Sequence, residues 1–414
     1  MKAILERGSF PEKNIHINIG GSKSESNRLL ILRAQFPSIS IENLSESDDT
    51  AVLQKALKAT NGTIDIHHAG TAMRFLTAYF SAKEGAEITL TGSQRMQERP
   101  ISILVEALQS LGADIAYLKN EGFPPLKIKG KSLQNNEVKI QANISSQYIS
   151  ALMLVAPMLP KGLKIYLEGK ITSEPYIEMT LSLLKSIGIK GSFNTNEITI
   201  PSKGKTEKTT LTVESDWSSV SYFYSLVALS ENCEITLTSF SEESLQGDAA
   251  LVQIYNSLGV QTVFNASKKS ISLSKKNVEL PDTLVLDLSN TPDLAQTIAV
   301  TCFGLGIGCN LTGLHTLKIK ETDRLWALKN ELEKLGATVH IDDNSLKLKK
   351  TFQIHPNKII ETYQDHRMAM AFGPLSLKTN IMINDAEVVS KSYPNFWNDL
   401  KKTGIKCILD ASSK

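Results

Sequence analysis

Residues 320–325 read KETDRL, and they open a helix with cations at the end where a helix does not favour them. Beyond them Leu325, Leu328, Leu332 and Leu335 recur at spacings of three and four, one buried helical face ending at Gly336. Glu321 and Asp323 suit the positive end of that helix dipole, and Thr322 is the expected N-cap. Lys320 and Arg324 oppose the dipole. Either they belong to a solvated turn with an intrahelical Glu–Arg pair, or they face an anionic ligand that the helix start helps to hold.

The same helix runs into ELEKLGATVHI (331–341), an amphipathic helix, a glycine and a short β-prone run. That pattern returns as ALKATNGTIDI (56–66), ALQSLGADIAYL (107–118), LLKSIGIKGSF (183–193), IYNSLGVQTVF (254–264) and LKKTGIKCIL (400–409), the first and last being weaker. The glycine falls where a helix C-cap needs a left-handed residue, and the strand then returns to a sheet. A spacing of roughly 70 residues is long for a solenoid and suits compact α/β subunits grouped three and three into two similar domains. Alternating strands such as 88–91, 164–167 and 234–237 lie between the copies, with no Pro/Ser-rich linker. The expected crossovers lie near 19–21 and 213–215. They give one domain over residues 19–214 and a discontinuous one over 1–18 plus 215–414, with the N-terminus returning to the second.

A chain of 414 residues with 41% hydrophobic content fits two soluble domains. A net charge of +2 gives no general argument for nucleic acid or acidic membrane surfaces, so any basic patch must be local. Charge interrupts the N-terminus before a signal-peptide apolar region could form, and the apolar stretch at 297–309 is short and glycine-broken, a core helix and turn rather than a membrane span. Cys233, Cys302, Cys309 and Cys407 form no CxxC pair and are expected to be buried free thiols in a reducing cytoplasm. The seven histidines show no metal-ligand spacing, so no metal is expected.

Other helix starts repeat the anomaly. GGSKSESNR (20–28) is a glycine turn and serine-capped start bearing Lys23 and Arg28, but not a P-loop. In HAGTAMR (68–74) Thr71 is the expected cap and Arg74 lies in the first turn. RMQERP (95–100) precedes a helix; SSQ (145–147) opens one, as does SEPY (173–176), with Ser173 as cap and proline near N1. TPD (291–293), DHRMAM (365–370) and KSYP (391–394) mark further starts. A Ser or Thr cap alone means little. Cations at or just before so many helix starts do not fit scattered surface charge, and they point to a shared cleft for multiply charged small molecules.

Through GSKSxSNR, AGTAMR, RMxERP, SSQ, Ser-x-Pro-Tyr, SSxSYF (218–223), TPD, KETDR, DHRMAM and the closing Lys391, the chain resembles the 5-enolpyruvylshikimate-3-phosphate synthases. The motifs span nearly the whole chain in order. The resemblance implies the enolpyruvyl transferase fold, an α/β inside-out barrel architecture of two domains with three βαβαββ-like repeats each and an active site in the interdomain cleft. It implies transfer of the enolpyruvyl group of phosphoenolpyruvate to the 5-hydroxyl of shikimate 3-phosphate, with phosphate released and no cofactor. By matching positions, Ser24, Arg28, Gln147 and Tyr176 would hold the shikimate ring, and Ser145, Ser146, Ser173 and Lys320 its phosphate, with Thr316 nearby. Lys23, Arg99 and Lys391 would surround the phosphate of phosphoenolpyruvate and Arg324 and Arg367 its carboxylate, with Gly70, Arg74 and Gln147 lining that pocket. The mixture is apt, because the arginine fork matches a carboxylate and lysine serves a phosphate as a point charge.

Asp293 would take the 5-hydroxyl proton and Glu321 handle the C3 proton, with Lys23 as rival donor. A monomeric cytoplasmic enzyme without nucleic-acid or membrane partners is expected. His68, Phe75 and Thr316 depart from the family pattern of Asn, Pro and Asn, and the first two imply an altered response to glyphosate, which mimics phosphoenolpyruvate in this family. The alternatives are the sister transferase acting on UDP-N-acetylglucosamine, whose usual reactive cysteine is missing from 95–99, and a non-catalytic anion-binding paralogue.

Overall fold

The computed structural model describes residues 1–8, 15–143 and 145–411. Its contacts divide the chain into two units, Met1–Gly20 with Glu214–Lys414, and Gly21–Val213.

Within each unit the repeats become sheets. In the second unit Asn61–Asp65 pairs parallel with Glu87–Thr91, which pairs antiparallel with Leu126–Lys129, itself antiparallel to Asp114–Tyr117. The order recurs with Glu137–Gln141, Leu163–Glu168, Glu197–Ile200 and Ser192–Asn194. The first unit repeats it around Glu234–Thr238, Gly308–Thr312 and Ile381–Ile383. In the last of these the N-terminal strand Lys2–Glu6 fills the place between Ile381–Ile383 and Lys406–Asp410. The exception is a two-stranded sheet of Ile39–Glu42 and Thr209–Thr212, which departs from the repeat expected of all six. The glycine after the helix is left-handed as expected, for example Gly336 at φ 101° and Gly404 at φ 83°.

The innermost layer is helical. Gly70–Ala82 is buried at every residue from 70 to 81, and Trp217–Leu229 and Ala295–Leu305 are nearly as enclosed. A helix buried on every face has no solvent side and lies inside its unit, its few polar side chains hydrogen-bonded there, as Thr77 and Ser81 are to the helix main chain. Lys23–Gln35 and Ser146–Val155 join Gly70–Ala82 in one unit, and His366–Phe372 joins Trp217–Leu229 and Ala295–Leu305 in the other. The sheets pack outside them, and each unit keeps its own hydrophobic core. The 297–309 stretch is such an inner helix, closed by left-handed Gly306 (φ 74°) and followed by the strand Gly308–Thr312. Among the described residues no helix is long and apolar enough to cross a membrane. All four cysteines are free and buried.

Three caps differ from expectation. Asp323, not Thr322, caps Arg324–Lys334: it stands directly before the first helical residue, and its Oδ1 accepts from the main-chain N–H of Leu325 and Trp326, both at 3.1 Å. Gly70–Ala82 starts after Ala69 with no side-chain cap, so Thr71 lies inside the helix. Pro175–Ser186 starts after Glu174, leaving Ser173 outside it in a left-handed conformation (φ 56°).

Gly21 sits just before Ser22, which caps Lys23–Gln35. A Cβ on Gly21 would lie 1.8 Å from the main-chain oxygen of Asn43, whereas one on Gly20 would meet nothing within 4 Å. Gly21→Ala is expected to lower the unfolding free energy by roughly 2–3 kcal/mol, and Gly20→Ala to change it by less than about 0.5 kcal/mol, as read by urea denaturation of both variants.

Candidate active site

In the first unit, the starts of the inner helices and of Arg324–Lys334 bring six of the sequence-derived residues together. Arg324 is the centre, with its side chain 2% exposed, and is therefore no solvated turn. Its Nε donates to Asp365 Oδ2 at 2.6 Å, one terminal nitrogen donates to Asp293 Oδ1 at 2.8 Å, and the other donates to Glu321 Oε2 at 2.9 Å and Asp365 Oδ1 at 3.4 Å. The Glu321–Arg324 pair forms, but it is not intrahelical, because Glu321 precedes the Asp323 cap, and it belongs to a larger cluster. Arg367 donates to Asp293 Oδ2 at 3.0 Å and to Ser218 Oγ at 3.3 Å. Lys391 Nζ donates to Glu321 Oε1 at 2.7 Å, and Lys320 Nζ lies 3.5 Å from Asp293 Oδ1. Thr316 is buried close by in sequence, on the turn His315–Ile319, and its hydroxyl has no hydrogen-bond partner among the described residues.

The charges explain one another. Burial pushes the Asp293 carboxyl up, but Arg367, Lys320 and Arg324 together outweigh burial and hold it well below the usual carboxylate range. Burial likewise works against the Arg324 cation, and Asp365, Glu321 and Asp293 overcome it, raising the guanidinium above its ordinary value. Asp248 is different. It accepts a short hydrogen bond from Ser218 Oγ, and burial pushes its pKa up to about 6, against the pull of Arg367.

The second unit gathers the remaining residues. Lys23 Nζ is 3.6 Å from Asp49 Oδ2. Gly70 lets a guanidinium come close, since a Cβ there would lie 2.6 Å from a terminal nitrogen of Arg99. Arg74 donates to the main-chain oxygens of Gly70 and Pro100, and Gln147 Nε2 donates to Thr71 Oγ1 at 3.2 Å. Ser145 precedes Ser146–Val155 without a side-chain cap bond, so its hydroxyl and that of Ser146 are not consumed in capping that helix.

Arg28 is the most enclosed cation of this unit. Its donors go to Thr180 Oγ1 at 2.9 Å, Ser150 Oγ at 2.8 Å and the Ser24 main-chain oxygen at 2.9 Å, and its guanidinium lies 5.4 Å from the Tyr176 ring and 5.5 Å from Phe75. Burial lowers its pKa to about 10. The Phe75 departure therefore supplies a ring face to Arg28.

Sequence reasoning gave no role to Asp365, Asp248, Ser218 or Asp49. The signal for them was electrostatic: cations buried at helix starts require buried acids, and Asp365 stands directly beside one such start.

The architecture is that of solved EPSP synthases. The structure of EPSP synthase from Acinetobacter baumannii superposes with a TM-score of 0.76 at 20% identity, over 99% of this chain and 100% of that one. Residues 48–400 match the family model of EPSP synthase (3-phosphoshikimate 1-carboxyvinyltransferase). The chain is 46% identical over 392 residues to the 3-phosphoshikimate 1-carboxyvinyltransferase of Bacteroides fragilis strain YCH46, covering 94% of this chain and 95% of that one. It is 35% identical over 415 residues to the enzyme of the same name from Sulfurovum sp. strain NBC37-1, covering 93% and 95%. The chain belongs to the EPSP synthase family.

Asp248 gives a pH test. A carboxyl raised from 3.8 to about 6 keeps its proton in the folded state when the unfolded chain has lost it, so its contribution is full below pH 3.8 and is lost as pH rises through 6. In Asp248→Asn that loss is absent. The variant is expected to gain on the order of 2 kcal/mol relative to wild type between pH 4 and pH 7, measured by urea unfolding at both pH values.

Proposed function

We propose that the chain transfers the enolpyruvyl group of phosphoenolpyruvate to the 5-hydroxyl of shikimate 3-phosphate and releases phosphate. The observation that carries this reading is the Arg324, Arg367 and Lys391 cluster interleaved with Asp293 and Glu321, in a chain of the EPSP synthase family. Three cations that can receive a carboxylate and a phosphate stand beside two carboxylates that can move protons.

The substrate 5-hydroxyl adds to C2 of phosphoenolpyruvate, its proton passing to Asp293, while C3 gains a proton from Glu321. Loss of phosphate and of a C3 proton from the tetrahedral adduct then restores the double bond. Asp293 is held ionised, as a base must be, by cations that also lower its proton affinity; substrate anions that draw Arg324, Arg367 and Lys320 toward themselves restore that affinity when the substrates are bound. Glu321 is tethered by Arg324 and Lys391, and Lys23 is the alternative donor. Arg324 and Arg367 receive the phosphoenolpyruvate carboxylate; Lys391, Lys23 and Arg99 receive its phosphate, with Gly70, Arg74 and Gln147 around it. Ser145, Ser146, Ser173 and Lys320 take the 3-phosphate, Thr316 adds its free hydroxyl, and Ser24, Arg28, Gln147 and Tyr176 take the ring. Three of the five Arg28 N–H groups go to Thr180, Ser24 and Ser150, which leaves one on each terminal nitrogen for the ring. The protein works as a monomer in the cytoplasm.

Purified protein given both substrates is expected to release phosphate, and to release none when UDP-N-acetylglucosamine replaces shikimate 3-phosphate; no release at high enzyme concentration overturns the reading. Asp293→Ala and Glu321→Ala should each lower kcat by about 10²–10⁴-fold with small changes in KM, whereas Arg324→Ala should also raise KM for phosphoenolpyruvate. With Phe75 on the Arg28 face and His68 before Gly70, the glyphosate inhibition constant should differ from that of a family member with the common residues, measured under matched conditions.

A further inference from the structure

We infer that Asp365 is the positioning residue of the arginine pair, a fixed counter-ion that turns Arg324 so that only one edge of its guanidinium is open to an incoming carboxylate. The inference rests on the functional reading above. It begins from a difference among the three acids that hold Arg324. The Asp365 side chain is 0% exposed, whereas those of Asp293 and Glu321 are 16% and 13% exposed. An anion arriving from solvent can compete with the latter two. It has no approach to the first.

The donor geometry makes the division specific. A guanidinium offers five N–H groups in a rigid plane. Asp365 takes the edge made by Nε, at 2.6 Å, and one terminal nitrogen, at 3.4 Å. Of the three N–H groups left over, two are now given to Asp293 Oδ1 and Glu321 Oε2. They come from the two terminal nitrogens and form the end-on edge, where a planar carboxylate can be received by two parallel hydrogen bonds once those acids yield.

The same carboxylate also sets Arg367. Asp365 Oδ1 accepts from the main-chain N–H of Arg367 at 2.9 Å and caps His366–Phe372, so it fixes where that helix begins and from where the Arg367 side chain departs. One buried residue therefore orients both arginines, the first through its side chain and the second through its backbone. The titratable neighbours of Asp365 besides the arginines include His366, whose Nδ1 lies 3.7 Å from Asp365 Oδ1, and the buried Tyr222.

A residue that only capped the helix would behave differently. Asp365→Ser retains an N-cap hydroxyl but no clamp, and Asp365→Asn retains the shape and one acceptor while placing an amide donor or a weaker neutral acceptor against Arg324. With both substrates supplied, each variant is expected to raise KM for phosphoenolpyruvate by at least about tenfold, to leave KM for shikimate 3-phosphate within about twofold, and to lower kcat by less than the change in KM. Thermal unfolding followed by circular dichroism establishes that the variants are folded at the assay temperature. A phosphoenolpyruvate KM within twofold of wild type in folded Asp365→Ser and Asp365→Asn overturns the inference, as does an equal rise in both KM values. If neither variant folds, Asp365→Glu decides, because it keeps cap and charge but moves the carboxylate outward. A rise of at least about threefold in KM for phosphoenolpyruvate alone then supports the inference, and an unchanged value overturns it. Wild-type protein that releases no phosphate removes the functional reading and this inference together, whereas wild-type turnover with unaltered variants removes only the inference.

Discussion

Arg324 surrounded by three carboxylates is the constraint from which the rest of the first unit follows. A guanidinium with 2% exposure is tolerable only if every donor direction meets an acceptor and the charge is balanced nearby. Asp365, Asp293 and Glu321 meet that requirement from three different segments, so the helix starts that carry them must converge. The acids in turn are tied to Arg367, Lys320 and Lys391. Breaking one pair leaves the others buried without balance.

This convergence depends on the inner helices. A helix buried on every face, such as Gly70–Ala82 or Trp217–Leu229, has no solvent side, and its termini are where unpaired main-chain groups of a buried element meet polar partners. Chemistry accumulates there for that reason. Arg74 and Gly70 belong to one such start, Ser218 to a second and Arg367 to a third. The sheets outside have a supporting role, each four-stranded one closing a helix–glycine–strand turn and covering the helical layer.

Much of this was legible in the sequence because periodicity and punctuation are local. The helix–glycine–strand copies announced the sheets, and cations at helix starts stood out because the dipole disfavours them. What was not legible depends on distant partners. Thr180 and Ser150 hold Arg28 from 152 and 122 residues away, and no spacing rule connects them. Asp365 stood in the sequence only as the first residue of a helix start and Asp248 carried no signal, since a carboxylate paired with a distant cation leaves no local pattern. The Thr322 cap failed for a related reason: both residues are good caps, and only the geometry selects the carboxylate that reaches two N–H groups. The two-stranded sheet escaped because its strands lie some 170 residues apart and its local pattern resembles the others.

The ion-pair geometry also determines what ligand binding can cost. The terminal donors of Arg324 and Arg367 and the Lys391 ammonium already have carboxylate partners, so an anionic ligand exchanges one buried ion pair for another rather than filling empty donors. The observed affinity is then a difference between two large terms and need not be high. Exchange has a second consequence. A ligand carboxylate that takes the Arg324 donor from Glu321 leaves that acid with one cation fewer, and a carboxyl that loses a neighbouring cation binds its proton more readily. Occupancy of the arginines and the proton affinity of Glu321 are thereby linked through a single hydrogen bond of 2.9 Å.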